Sequence, residues 1–200
     1  MNILRRFFHR TPQTLSSITA YELWAQSYPA EAHNILMQIE QENMLAIMPS
    51  LEDKVVLDLA CGTGRYGKIA QNQKARQVIG VDNSFAMLER RAIPHGIQAT
   101  SEAIPLPDKS IDVVLCGLAL GHLPKIRPSL SEISRILRPE GIALISDFHP
   151  YQFLSGARRT FQAANKNYAV EHYVHHISDY FFRGRGAKVE IYLHPAQKKL

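Results

Sequence analysis

The apolar positions of this chain fall into two alternating patterns. Residues 30–48, AEAHNILMQIEQENMLAIM, carry apolar side chains at helical spacing, and Pro49 ends the run, which predicts a helix ahead of the main body of the chain. VVLDLA (55–60) is a continuous apolar run of the kind found in buried parallel strands. The following RYGKIAQNQ predicts a helix that buries Tyr66, Ile69 and Ala70 on one face. QVIGVD (77–82) predicts a second strand, and Ser84 is placed to cap a helix through FAMLERRA. A short strand is expected near Ile97 to Ala99, then the proline-punctuated EAIPLPDKS, then the strand IDVVLCG (111–117). Pro128 suits the first turn of a helix whose Leu130, Ile133, Ile136 and Leu137 face inward, and RPEG turns the chain into a further strand, IALISD (142–147). Strand and helix alternate throughout, which predicts an α/β fold with a doubly wound, mostly parallel sheet and right-handed crossovers.

Composition narrows the class without changing that outline. The chain has 200 residues, 46% of them apolar and 20% charged, which suits one globular domain with a full core. No window approaches the apolar length that crosses a bilayer, so stable membrane insertion is not expected. The net charge of +5 is spread as isolated pairs such as Arg5-Arg6 and Arg158-Arg159, which argues a solvated surface and against a nucleic-acid tract. Cys61 and Cys116 sit inside apolar runs, unlike a secreted disulfide framework, and a cytoplasmic setting fits. Residues 1–20 lack any acid and have no secretory h-region; they are expected to be a loosely ordered segment preceding a single domain over 21–200.

In a doubly wound sheet the ligand crevice lies at the carboxyl ends of the strands, so strand-terminal residues are the informative ones. Here they include Asp58 with the turn Cys61 to Gly64, Asp82, Thr100 to Glu102, Cys116 with Gly117, and Asp147 with His149. The spacing Gly62-x-Gly64-x-x-Gly67 suits a dinucleotide pyrophosphate, a nucleotide phosphate, or a cofactor without phosphate. Charge discriminates among them. Asp58, inside the strand that feeds the turn, repels a pyrophosphate and attracts a cationic amino group. Asp82 stands at the roughly 20-residue spacing from which a strand-terminal acid accepts ribose hydroxyls. The two acids and the glycine turn describe a nucleoside with an amino-acid tail, as in S-adenosylmethionine.

VLDLACGTGRYGKIA, VIGVDNSFAMLERRA, SEAIPLPDKSIDVVLCGLALGHL and EISRILRPEGIALISDFHP resemble, in order, the motifs of the class I S-adenosylmethionine-dependent methyltransferases, in the group similar to the ubiquinone/menaquinone-biosynthesis type. YELWAQSYP resembles the lead-in that precedes that domain. The resemblance implies a Rossmann-like fold and a methyl transfer by direct displacement to a small-molecule acceptor. It implies that Asp58, Ala60, Gly62 and Gly64 surround the methionine portion and that Asp82 takes the ribose diol. Asn83, Met87, Thr100 and Ser101 would adjoin the adenine, and Cys116 and Gly117 would line the floor near the sulfonium. Thr100 departs from the pattern, because many relatives carry an aspartate there.

Proton-transfer candidates are His149, past the fifth core strand, and more weakly His122. Tyr28, His33 and Asn34 are candidates for the acceptor side, with residues 11–50 and 150–180 forming its cover. His172, His175 and His176 have the spacing of one helical face, but no companion ligand pattern, so no metal is expected. The tail supplies one clear further strand, KVEIYL (188–193), so the last strand of the family sheet is expected to be missing. Six strands, a truncated sequence, or a partner such as a second copy in a homodimer would account for this. Two alternative functions remain: an NAD(P)-dependent oxidoreductase, disfavoured by Asp58, and a degenerate cofactor-binding relative, suggested by Thr100 and the short tail.

Overall fold

The continuous apolar runs become the strands of one parallel sheet, and the amphipathic runs between them become its covering helices. The computed structural model describes residues 12–181 and 188–194. In chain order the elements are β1 (Gln13–Leu15), α1 (Ser17–Trp24), α2 (Ile35–Ile47), β2 (Val55–Leu59), α3 (Arg65–Asn72), β3 (Gln77–Asp82), α4 (Phe85–Glu89), β4 (His95–Gln98) and β5 (Ile111–Gly117). They continue with α5 (Arg127–Ile136), β6 (Leu137–Phe148), α6 (Pro150–Leu154), β7 (Thr160–Ala163), β8 (Lys166–Val170), α7 (Ile177–Tyr180) and β9 (Lys188–His194). The main sheet has the order β4-β3-β2-β5-β6-β9, and every neighbouring pair is parallel. The order reverses between β2 and β5, which is where such a sheet opens a crevice.

β2 shows why this sheet forms. All five of its residues are buried, and its alternate side chains feed two different cores. Val55, Leu57 and Leu59 pack with Val114, Ile133 and Ile145 on one face. Val56 packs with Met44, Tyr66, Leu115 and Leu144 on the other. Each fully buried Leu or Ile contributes about 1.5–3 kcal/mol.

Helix ends follow their capping residues. Asn34 accepts from the Met37 amide at 2.9 Å, so the helix predicted over 30–48 begins only at Ile35. Ser84 caps α4 as expected, but that helix stops at Glu89, well short of the predicted FAMLERRA. The RPEG turn is an excursion within β6, with Glu140 at φ 65° and the pairing with β5 jumping from Leu137 to Ile142.

Two expectations about the termini are corrected. The segment expected to be loose through residue 20 is ordered from Gln13: β1 pairs in parallel with β8, and Ser16 caps α1. Ala20 and Trp24 of α1 are buried against Phe161 and Val170, with the Trp24 and Phe161 rings stacked at 4.7 Å, and this burial holds the segment down. Residues 1–11 lie outside the described residues. At the other end, β9 extends the sheet to six strands by pairing with β6 from Ile142↔Lys188 to Phe148↔His194. A second, three-stranded sheet of order β1-β8-β7 thus ties the segment before the core to the segment after it. Among the described residues no helix is long and apolar enough to cross a membrane.

Candidate functional site

The site begins where β2 ends. Ala60 (φ 54°), Gly62 (φ 54°) and Gly64 (φ 88°) all adopt left-handed backbone conformations, which turn the chain sharply into α3. For Ala60 that conformation costs about 1–2 kcal/mol, so the surroundings must hold it. They do so through three bonds: the Cys61 amide donates to the Val81 carbonyl at 3.0 Å, the Gly64 amide donates to the Cys61 carbonyl at 2.8 Å, and Asp82 Oδ2 accepts from the Gly62 amide at 2.7 Å. Gly67 is needed for a close approach. A Cβ there would lie 2.7 Å from Ile93 Cγ2 and 3.2 Å from Asp58 Oδ2. Its amide instead donates to Asp58 Oδ2 at 2.7 Å.

Both strand-terminal acids are buried. Burial pushes the Asp58 carboxyl up to about 7, with the Gly67 amide pulling the other way. Burial also raises Asp82, against the amides of Ser84 and Gly62. Paired carboxylates in a poorly solvated cleft are hostile to a diphosphate and favourable to a cation.

The cleft encloses about 1020 Å³ open to solvent. Asp58, Ala60 and Gly62 line it on one side, and Asp82, Asn83 and Met87 on the next. Ser101 adjoins these with its Oγ 2.8 Å from Ser129 Oγ, and Cys116 and Gly117 also line the cleft. Burial raises both the Cys61 and Cys116 thiols, which stay protonated and unreactive. Gly64 is not on the wall; it is the N-cap of α3. Thr100 is exposed and does not line the cleft, whereas its neighbours Ala99 and Ser101 do.

Among the candidates for proton transfer and acceptor binding, the structure separates those in the cleft from those outside it. Tyr28 and His122 line the cleft. His149, which the sequence favoured, does not; its Nδ1 accepts from the Tyr151 amide at 3.2 Å. His33 and Asn34 line a second, neighbouring cavity. His122 Nδ1 lies 2.9 Å from the Glu171 carbonyl, which can only accept, so Nδ1 carries the proton and Nε2 accepts from the Tyr21 hydroxyl at 3.0 Å. Burial, with Arg159 adding to it, lowers His122 to about 3. The three histidines of the tail do not share a helix, because residues 171–176 are irregular. His175 meets the Leu123 carbonyl at 2.8 Å and His176 caps α7, while His172 sits edge-on to Phe148 and His122. No group of metal-ligating side chains occurs among the described residues.

Three features of the site escaped the sequence. Arg159, just before β7, reaches over the cleft. Tyr21 anchors His122. Glu40, fully buried in α2, accepts from Arg65 Nη2 at 2.9 Å, from the Tyr66 hydroxyl at 2.6 Å and from the Ser146 hydroxyl. The signal for the last was Arg65 itself, a cation directly after the glycine turn that needs a partner.

Residues 57–145, which span the glycine turn, both acids and the strands that carry them, match the family model described as a methyltransferase domain. This core is a class I methyltransferase domain. Relatives include the malonyl-[acyl-carrier protein] O-methyltransferase of Pectobacterium atrosepticum, 31% identical over 138 residues, which are 62% of this chain and 54% of that protein. The enzyme of the same name from Serratia marcescens is 29% identical over 132 residues, 64% of this chain and 51% of that one. The chain therefore spans about half the length of these relatives. Among solved structures, an S-adenosylmethionine dependent methyltransferase from Mesorhizobium loti superposes with a TM-score of 0.56 at 25% identity, covering 65% of this chain and 63% of that one. The [4+2]-cyclase SpnF shares the fold at a TM-score of 0.54 and 18% identity, covering 66% of this chain and 60% of that one, so the methyltransferase fold by itself does not fix the reaction. The site has to supply that part of the argument.

Proposed function

We propose that this methyltransferase domain binds S-adenosylmethionine in the cleft and transfers its methyl group to a small-molecule or carrier-bound acceptor. The observation that carries this reading is the pair Asp58 and Asp82 at adjacent strand ends around a left-handed glycine turn. The donor set fits the cofactor. Asp58 would meet the amino group of the methionine tail, and Asp82 would accept from the ribose hydroxyls while its bonds to Gly62 and Ser84 hold it in place. Met87, Ala99 and Ser101 offer an apolar wall with a polar edge for the adenine. Cys116 and Gly117 would lie near the sulfonium.

When bound, the cofactor supplies a methyl group already activated for displacement. The protein then has mainly to align the acceptor and exclude water. Tyr21, Tyr28 and Arg159 close the cleft from the side of the small sheet. With its conjugate acid near 3, His122 takes up little proton at neutral pH, so its contribution here is to fix Tyr21. The reading as a binding-only relative rested on Thr100, and Thr100 lies off the cleft wall. The names of the relatives support an oxygen acceptor on an acyl carrier.

The test is turnover. Incubated with radiolabelled S-adenosylmethionine and a cell metabolite extract, the chain is expected to form S-adenosylhomocysteine and a labelled product. Asp82→Asn should suppress both. A chain that reduces NAD under these conditions and leaves the methyl donor intact would overturn the reading.

A further inference from the structure

Arg159 stands where the cofactor cleft meets the second cavity, of about 2010 Å³, and it lines both. Trp24, Phe148, Phe161 and Val170 contribute apolar surface to that second cavity. The half-buried guanidinium of Arg159 has only weak partners. Nη1 donates to the Leu118 carbonyl and Nη2 to the Tyr28 hydroxyl, each at a long 3.3 Å, and the group lies 5.6 Å from the Tyr21 ring centroid and 5.8 Å from that of Trp24. Ion pairs form at six places among the described residues, and Arg159 is in none of them. The other arginine on the cleft wall, Arg65, is neutralised by Glu40. A desolvated cation without a carboxylate is costly to keep, and five planar donors held by two weak bonds leave the fork able to accept an anion.

The surroundings say which kind of anion. An acceptor that must lose a proton needs a base poised near neutral pH. The imidazoles close to Arg159 are poor bases: burial and the neighbouring guanidinium lower His122 to about 3 and His172 to about 4. A carboxylate is already ionised and needs no base.

We propose that Arg159 holds the carboxylate of an acceptor whose apolar portion lies in the second cavity, and that the reaction is carboxylate O-methylation. The inference rests on the methyltransferase reading and names its acceptor class. In the step, a carboxylate oxygen donates an electron pair to the methyl carbon while the carbon–sulfur pair returns to sulfur. The products are a neutral methyl ester and a neutral thioether, and no proton moves. One guanidinium nitrogen suffices to orient the carboxylate, leaving the second oxygen for attack.

The experiment supplies labelled methyl donor with the malonyl and glutaryl thioesters of N-acetylcysteamine and with octanoate, and catechol as a neutral comparison. Ester formation is read as methanol released by mild base. S-adenosylhomocysteine affinity is measured in parallel by calorimetry. The wild-type chain is expected to give base-labile product with a carboxylate probe and none with catechol. Arg159→Met should raise the acceptor KM by about ten- to a hundredfold, the effect of losing one charge-assisted hydrogen bond, with a smaller change in kcat. Arg159→Lys, which keeps the charge and loses the fork, should fall between the two and guards against a folding defect in the Met variant. Affinity for S-adenosylhomocysteine should not move. No esterification of any carboxylate probe, an unchanged KM in both variants, or a loss of S-adenosylhomocysteine affinity that assigns Arg159 to the cofactor's own carboxylate would each overturn the inference. Failure of the wild-type chain to bind S-adenosylhomocysteine would instead sink the methyltransferase reading beneath it.

Discussion

Asp58 carries a charge in a place that resists it. Its carboxyl titrates near 7 instead of the ordinary 3.8, chiefly because it is buried. A folded state that holds a proton more tightly than the unfolded one loses stability as pH rises between those two values, so the unliganded protein should weaken across that window. A cationic ligand reverses the sign for binding, because it favours the ionised form and releases the proton. The affinity for S-adenosylmethionine should therefore rise with pH, approaching about tenfold per unit below pH 7. Asp58→Asn should bind more weakly and with a flat profile. Calorimetry in buffers of differing ionisation enthalpy checks this, and a flat wild-type profile would contradict the role given to Asp58. Both Asp58 and Asp82 were legible in the sequence, because strand-terminal acids beside a glycine turn have few structural explanations. Arg159 was not, since nothing in ARRT shows that its chain segment folds back over a cleft built more than forty residues earlier.

At the scale of elements, α2 shows where periodicity stops being informative. Its spacing predicted an apolar inward face, yet among its three buried residues, Met37, Glu40 and Met44, the middle one is an acid. Glu40 joins three elements: Arg65 and Tyr66 of α3 donate to it, and so does Ser146 of β6. Its partners are distant in sequence, so only the packed fold reveals it. Glu40→Gln leaves the Arg65 guanidinium, which is 12% exposed, without its counter-charge. Breaking such a pair from one side costs about 3–5 kcal/mol. A urea titration should show a lower midpoint with an unchanged slope; an unchanged midpoint would mean that solvent already screens the pair. The five core strands were legible because continuous apolar runs have one reading in a doubly wound sheet. Helix ends were less so: Asn34 was visible as a cap type, but the periodic pattern alone extended the helix four residues past it.

At the scale of the molecule, a cofactor-binding sheet is roofed by a layer made from two segments on either side of it. The three-stranded sheet β1-β8-β7 was invisible in the sequence, because β1 has only three residues and takes its partner from the far end of the chain. It nonetheless decides the acceptor side: it brings Tyr21, Tyr28 and Arg159 together over Asp58 and Asp82. Fold alone leaves the reaction open, as the cyclase with the same architecture shows. The electrostatics of the cleft do not. Titration calorimetry of the chain with S-adenosylhomocysteine and, separately, with NAD measures that electrostatic preference directly. The expected result is saturable binding of S-adenosylhomocysteine, weakened by about ten- to a hundredfold in Asp82→Asn, with no comparable heat from NAD. Preference for NAD, or an Asp82→Asn variant that binds S-adenosylhomocysteine as tightly as the wild type, would contradict the account.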